Sequence, residues 1–147
     1  MNLFSLTHVG IVHDKAISLI NNVFTDLLTD IDYTLKDYIS AEVLQKCEEQ
    51  LESDFQIEGA YCRDTKRIFL CKRSTIRTAI HEIGHAVHHQ LFNFEDFNLS
   101  KENRTERATL NHREDFAEAF ADVVLRCNEG TNLKTRDFEV REILLRE

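Results

Sequence analysis

A chain of 147 residues with 42% hydrophobic and 30% charged side chains is ordinary folded-domain material, too short for a second domain and too apolar for a disordered one. Its net charge of −8 argues against nucleic acid as a partner, and the lack of any apolar run long enough to cross a bilayer argues against membrane insertion. The expectation is one monomeric domain over residues 1–147, cytoplasmic or exported without a Sec-type signal peptide, since Met1 to Gly10 carries no basic leader region.

In chain order, residues 6–13 read as a short strand, and 14–29 as an amphipathic helix through Ile17, Leu19, Ile20, Val23, Phe24 and Leu27. Ile31, Tyr33 and Leu35 alternate with polar residues and predict a second short strand, followed by a helix over 40–53. A hairpin is expected over 55–71, with Gly59, Ala60 and Tyr61 before a polar turn and Ile68, Phe69 and Leu70 after it. A long helix then runs to about residue 92, and Phe94 to Asn111 is polar and suits a loop. A further helix spans 112–127 and stops at Asn128, Glu129 and Gly130, before a last helix over 135–146. This is an α+β pattern with a small mixed sheet.

Cys47, Cys62, Cys71 and Cys127 show no C-x-x-C spacing, which argues against a structural zinc knuckle. Cys62 and Cys71 flank the hairpin, and without a leader peptide both are expected as thiols. Charge is polarised along the chain: residues 26–58 hold ten acidic and two basic side chains, whereas residues 63–77 hold six basic and one acidic. Arg63, Lys66, Arg67, Lys72 and Arg73 could steer a substrate with acidic flanks, or could simply protect a sheet edge from pairing.

The chemistry concentrates in His81, Glu82, Ile83, Gly84 and His85, an HExxH motif inside a helical pattern. Histidines four apart on a helix lie about 40° apart around its axis and one turn up, so both imidazoles can reach one zinc ion. Glu82 would stand beside the metal, placed to take a proton from an activated water and return it to a leaving amine. Ile76, Ala79, Ile80, Ile83, Val87 and Leu91 form the opposite, core-facing stripe. His88 and His89 flank the His81 and His85 axis and read as residues of a cleft rim; a His85 and His89 pair would lack an adjacent glutamate.

The third ligand must come from elsewhere. A histidine six residues after His85 is excluded, because Leu91 stands there. On the helix over 112–127, Phe116, Phe120, Val123 and Val124 form an apolar stripe, while Glu114, Glu118 and Asp122 form an acidic one. If Glu114 binds zinc, Glu118 one turn on can accept the spare ring N–H of a ligand histidine and fix its tautomer. His112 is an alternative ligand, but it lies about 200° around the helix from Glu114, so the two cannot easily serve one ion.

HEIGH followed by EDFAEAF resembles the catalytic domain of anthrax lethal factor and the related Pro-Pro endopeptidases, which are gluzincin zinc metallopeptidases. The similarity covers roughly residues 55–125 and is specific at the two helices. It implies a zincin-like domain in which His81, His85 and Glu114 hold Zn2+, Glu82 is the catalytic base and Glu118 supports a ligand from outside. It also implies that Gly59 to Tyr61 and Ile68 to Leu70 form the strands beside the cleft, with a peptide or protein substrate added along the edge strand Ile68 to Leu70.

Two features depart from that pattern. Only 28 residues separate His85 from Glu114, so the intervening loop is trimmed, and Arg107 stands where the family has an oxyanion-stabilising tyrosine seven residues before the ligand glutamate. His112, Arg113, Arg107 and Tyr61 are the candidates to replace it, His112 ranked first. The sequence thus points to a zinc endopeptidase, or else to a weak or inactive zinc-binding domain that acts through one protein partner.

Overall fold

The computed structural model describes residues 4–6, 14–28, 59–70 and 74–146, which form four helices and a two-stranded antiparallel sheet. The elements are α1 (Asp14–Val23), β1 (Gly59–Cys62), β2 (Arg67–Leu70), α2 (Ile76–Phe92), α3 (His112–Glu129) and α4 (Thr135–Leu144), with one turn of 3-10 helix at Arg107–Thr109. The α+β expectation holds at that level. The expected strand near residues 31–35, the helix over 40–53 and most of the strand over 6–13 lie outside the described residues, and Phe4 to Leu6 are not strand.

Each helix ends for a local reason. Helix α1 is shorter than expected because its hydrogen bonds tighten past Val23, with the Leu27 N–H donating to the Phe24 carbonyl at 2.9 Å. Thr75 caps α2, its hydroxyl accepting from the Thr78 N–H at 3.2 Å, and Asn93 closes the helix in the left-handed conformation at φ 49°. Asn111 caps α3, and Gly130 at φ 69° ends it, as the Asn-Glu-Gly run predicted. β1 and β2 pair with Gly59 opposite Leu70 and Tyr61 opposite Ile68, so the sheet among the described residues is antiparallel.

One core joins these elements. Ala16, Ile17 and Ile20 of α1, Ala79, Ile80, Ile83 and Val87 of α2, and Phe116, Phe120, Val123 and Val124 of α3 are all buried. Phe24 stacks on Phe120 at 6.2 Å between ring centres. Ile76 and Leu91, expected in the core stripe, are half-buried at its margin. Arg136 of α4 is buried against α3, donating to both the carboxylate and the carbonyl of Asp115 and, at 2.6 Å, to the carbonyl of Ser100. A buried guanidinium with several oxygen partners is anchored in one geometry.

The glycine inside HEIGH sets the distance between the two central helices. A Cβ at Gly84 would sit 3.0 Å from Phe120 Cδ1 and 3.2 Å from the Ala117 Cα, and the second of these is backbone that cannot turn aside. Gly84→Val is therefore expected to lose about 1–3 kcal/mol of stability through overpacking, whereas Gly84→Ala recovers part of its clash from a helix-propensity gain of about 1 kcal/mol. Urea unfolding measures both, and a valine variant as stable as the parent would contradict so close a crossing.

Candidate metal centre

The crossing of α2 and α3 brings together residues 33 positions apart in the chain. One ligand atom each from His81, His85 and Glu114 lie within 4.8 Å of one another, a group that could hold a metal ion. Glu114 Oε2 is 2.8 Å from His81 Nε2, and Oε1 is 3.3 Å from His85 Nε2. The backbone N–H of Glu114 donates to Asn111 Oδ1 at 2.9 Å, so the helix cap fixes its main chain while its side chain is free to face α2.

Behind this group, Nδ1–H of His81 donates to Glu118 Oε2 at 2.9 Å. Glu118 is itself held on both oxygens, by the Thr105 hydroxyl at 2.9 Å and by Arg77 at 3.3 Å, and Arg77 reaches on to Asp122 at 2.7 Å. Sequence reasoning named Glu118 but missed Arg77 and Thr105. The signal for Arg77 was present, since it lies four residues before His81 on the same helix face. Thr105 comes from the loop and had none.

Electrostatics follow from these contacts. Burial alone would lower the pKa of His81, but its hydrogen bonds to Glu114 and Glu118 outweigh it and hold the ring up at about 9. Burial opposes ionisation of Glu114 and Glu118 as well, yet their hydrogen bonds with His81, joined at Glu114 by His85 and at Glu118 by the charge of Arg77, hold both carboxyls well below the usual range. Glu82 is the contrast. It is 4% exposed, and burial raises its pKa against the opposing charges of His85 and His81. Gly59 makes room for it, since a Cβ there would stand 3.2 Å from Glu82 Cγ.

A cleft of about 530 Å3 opens in front of the group, and Glu82, His85 and Glu114 form part of its wall. The strand that lines it is β1, through Gly59, Ala60 and Tyr61. Ile68 to Leu70, expected as the strand at the cleft edge, are not in this wall, and the side chains of Ile68 and Leu70 are buried in the core.

Of the four candidates for the tyrosine's place, Arg107, Arg113 and Tyr61 line the cleft. His112 does not. Its Nε2 lies 2.8 Å from the Phe94 carbonyl, outside the cleft wall, so its first ranking is corrected. The Tyr61 hydroxyl donates to His89 Nδ1 at 2.9 Å and accepts from Gln90 at 3.2 Å, which occupies its proton. Arg107 Nε is 3.5 Å from Glu114 Oε2.

His88 is a second correction. It is not a rim residue but fully buried, stacked on Phe116 at 4.3 Å with Nε2–H donating to the Glu95 carbonyl at 2.7 Å. Burial lowers its pKa to about 4, against a weaker raising effect of that carbonyl. The folded chain thus binds this proton less readily than the unfolded chain, in which histidine titrates near 6.5. Its contribution is complete above about pH 6.5 and is lost as pH falls towards 4, a difference on the order of 2–3 kcal/mol. Urea midpoints at pH 7.5 and pH 5 should differ less for His88→Phe than for the parent, and equal slopes would contradict a neutral buried ring.

Comparison with known protein families, with curated proteins and with solved structures finds no match for this chain. Among the described residues, no helix is long and apolar enough to cross a membrane. Cys62 and Cys127 are free thiols; Cys47 and Cys71 lie outside the described residues.

Proposed function

We propose that this chain is a zinc-dependent endopeptidase that hydrolyses peptide bonds with Glu82 as general base. One juxtaposition carries the reading: ligand atoms of His81, His85 and Glu114 within 4.8 Å of one another, with Glu82 beside them in the wall of the same cleft. Two imidazoles and a carboxylate form a donor set that suits zinc, and three protein ligands rather than four are the pattern of a catalytic site. Zinc held there supplies Lewis acidity toward water and the peptide carbonyl.

The chain's own residues do the rest. Glu82 takes the proton of the attacking water on its carboxylate and delivers it to the leaving nitrogen, and its raised pKa makes it the stronger base. Glu118 holds Nδ1 of His81, which leaves Nε2 directed to Glu114 and the metal group. The backbone of β1 offers a wall along which an extended peptide can lie, in a cleft large enough to seat a few residues. Arg107, in the cleft wall 3.5 Å from Glu114, takes the place first given to His112 as the group offered to developing negative charge.

A second reading, a zinc-binding domain with little or no turnover that acts by holding one protein partner, also rests on Arg107. Its side chain is 50% exposed, with Nε 3.5 Å from Glu114 Oε2, so it can serve to neutralise a ligand rather than to meet a substrate. Zinc content together with cleavage of a proteome-derived peptide library separates the two. About one zinc per chain with cleavage supports the peptidase, zinc without cleavage favours the second reading, and neither zinc nor cleavage sinks both.

A further inference from the structure

The cleft wall carries more positive charge than the proposed hydrolysis uses. Three arginines line it, each from a different element: Arg63 from the hairpin turn, Arg107 from the 3-10 turn and Arg113 from the first turn of α3. The carboxylates in the same wall are Glu82 and Glu114, and both lie at the histidine end. Arg107 reaches toward that end, 3.5 Å from Glu114, and the charged lining that remains is Arg63 and Arg113, both cationic, in a chain whose net charge is −8.

The present contacts of Arg63 and Arg113 are weak. Arg63 meets its neighbour Asp64 at 4.0 Å with both side chains largely exposed, a pair that solvent screens. Arg113 lies over the Phe94 ring at 4.2 Å, a contact that orients the guanidinium and leaves its N–H edge open to an acceptor. Arginine forks match carboxylates through paired hydrogen bonds, and a concave wall focuses their field.

We propose that the cleft selects peptide segments bearing aspartate or glutamate beside the scissile bond, with Arg63 and Arg113 gripping those carboxylates and Arg107 adding to the field. The inference rests on the endopeptidase reading and deepens it by naming a substrate class. A polynucleotide would also meet arginines, but a backbone with a charge at every step is repelled by a strongly acidic chain, whereas a peptide needs only one or two charges placed in the cleft.

The test uses the full chain, zinc-loaded and carrying Glu82→Gln, so that bound peptide persists. Fluorescein-labelled peptides equal in length and apolar content but acidic, neutral or basic are titrated by anisotropy at two salt concentrations. The acidic peptide should bind roughly tenfold more tightly than the neutral one, the size of one charge-assisted hydrogen bond, and should lose that margin at high salt. Adding Arg63→Gln and Arg113→Gln should remove most of the preference, down to about the twofold that the field of Arg107 leaves, with neutral-peptide affinity and zinc content unchanged. Equal binding of acidic and neutral peptides, a preference that survives the two arginine changes in full, or an oligonucleotide that binds as tightly as the acidic peptide would each overturn the proposal. Failure of the endopeptidase reading looks different: the wild-type chain then cleaves none of the peptides, whatever the anisotropy shows.

Discussion

Glu82→Gln is expected to cut peptide hydrolysis by at least about 100-fold, and by as much as about 10,000-fold, the range for removing a positioned general base. The amide keeps the shape of the side chain, which matters at a site 4% exposed and packed beside Gly59. It cannot take the water's proton. Glu82 is not one of the three ligand groups, so the variant should retain its zinc, its unfolding midpoint and its affinity for peptide. Initial rates on a quenched peptide, with metal content measured on the same sample, read all of this. A variant that cleaves at the parental rate would remove Glu82 from the mechanism, and one that loses zinc would make it a ligand instead.

Glu114→Ala should release most of the metal. It removes one of three ligands, so the loss of affinity should exceed about 100-fold, the upper end for losing a partner that only supports a ligand. A counter-effect has to be weighed. Glu114 is also one of the two carboxylates whose hydrogen bonds hold the His81 proton up to about 9, and a metal takes the neutral ring, so proton and metal compete. Removing Glu114 eases that competition at neutral pH and blunts the measured loss there. At pH 9 and above the competition fades and the loss shows in full. Chelator competition at the two pH values checks both parts, and full zinc retention at pH 9 would discard the three-ligand site. The fold should survive, because Asn111 caps the Glu114 backbone and not its side chain.

Much of this arrangement is legible in the sequence, because helix geometry converts spacing into direction. His81, Glu82 and His85 share a face by arithmetic, and Glu114 and Glu118 do so on α3. The same arithmetic misled for His88. Seven residues on from His81 it returns to nearly the same angle, yet it lies about 10 Å further along the axis. At that height Phe94, Phe97 and Phe116 enclose the helix, and angle alone carries no information about what covers it. Pairings across long separations were out of reach for a related reason. Nothing local to Thr105 or Arg136 tells which carboxylate each will meet. For β2, the alternation of Ile68 and Leu70 predicted a strand correctly but not which strand would face the cleft, since that depends on how the hairpin sits against α2.

Asp115 is the residue next to Glu114 in the chain, and its carboxylate is gripped by Arg136 from α4 and, at 2.9 Å, by Arg104 from the loop. One dipeptide therefore faces two ways, with one carboxylate clamped behind and the other aimed at α2. The clamp fixes the roll of α3, and the roll decides where the Glu114 oxygens come to rest. The smallest unit able to act as a good chelator is then larger than the two helices that carry the ligands. A fragment holding α2 and α3 alone would keep every donor atom and still bind metal poorly, because the last helix supplies the leverage that aims the third donor.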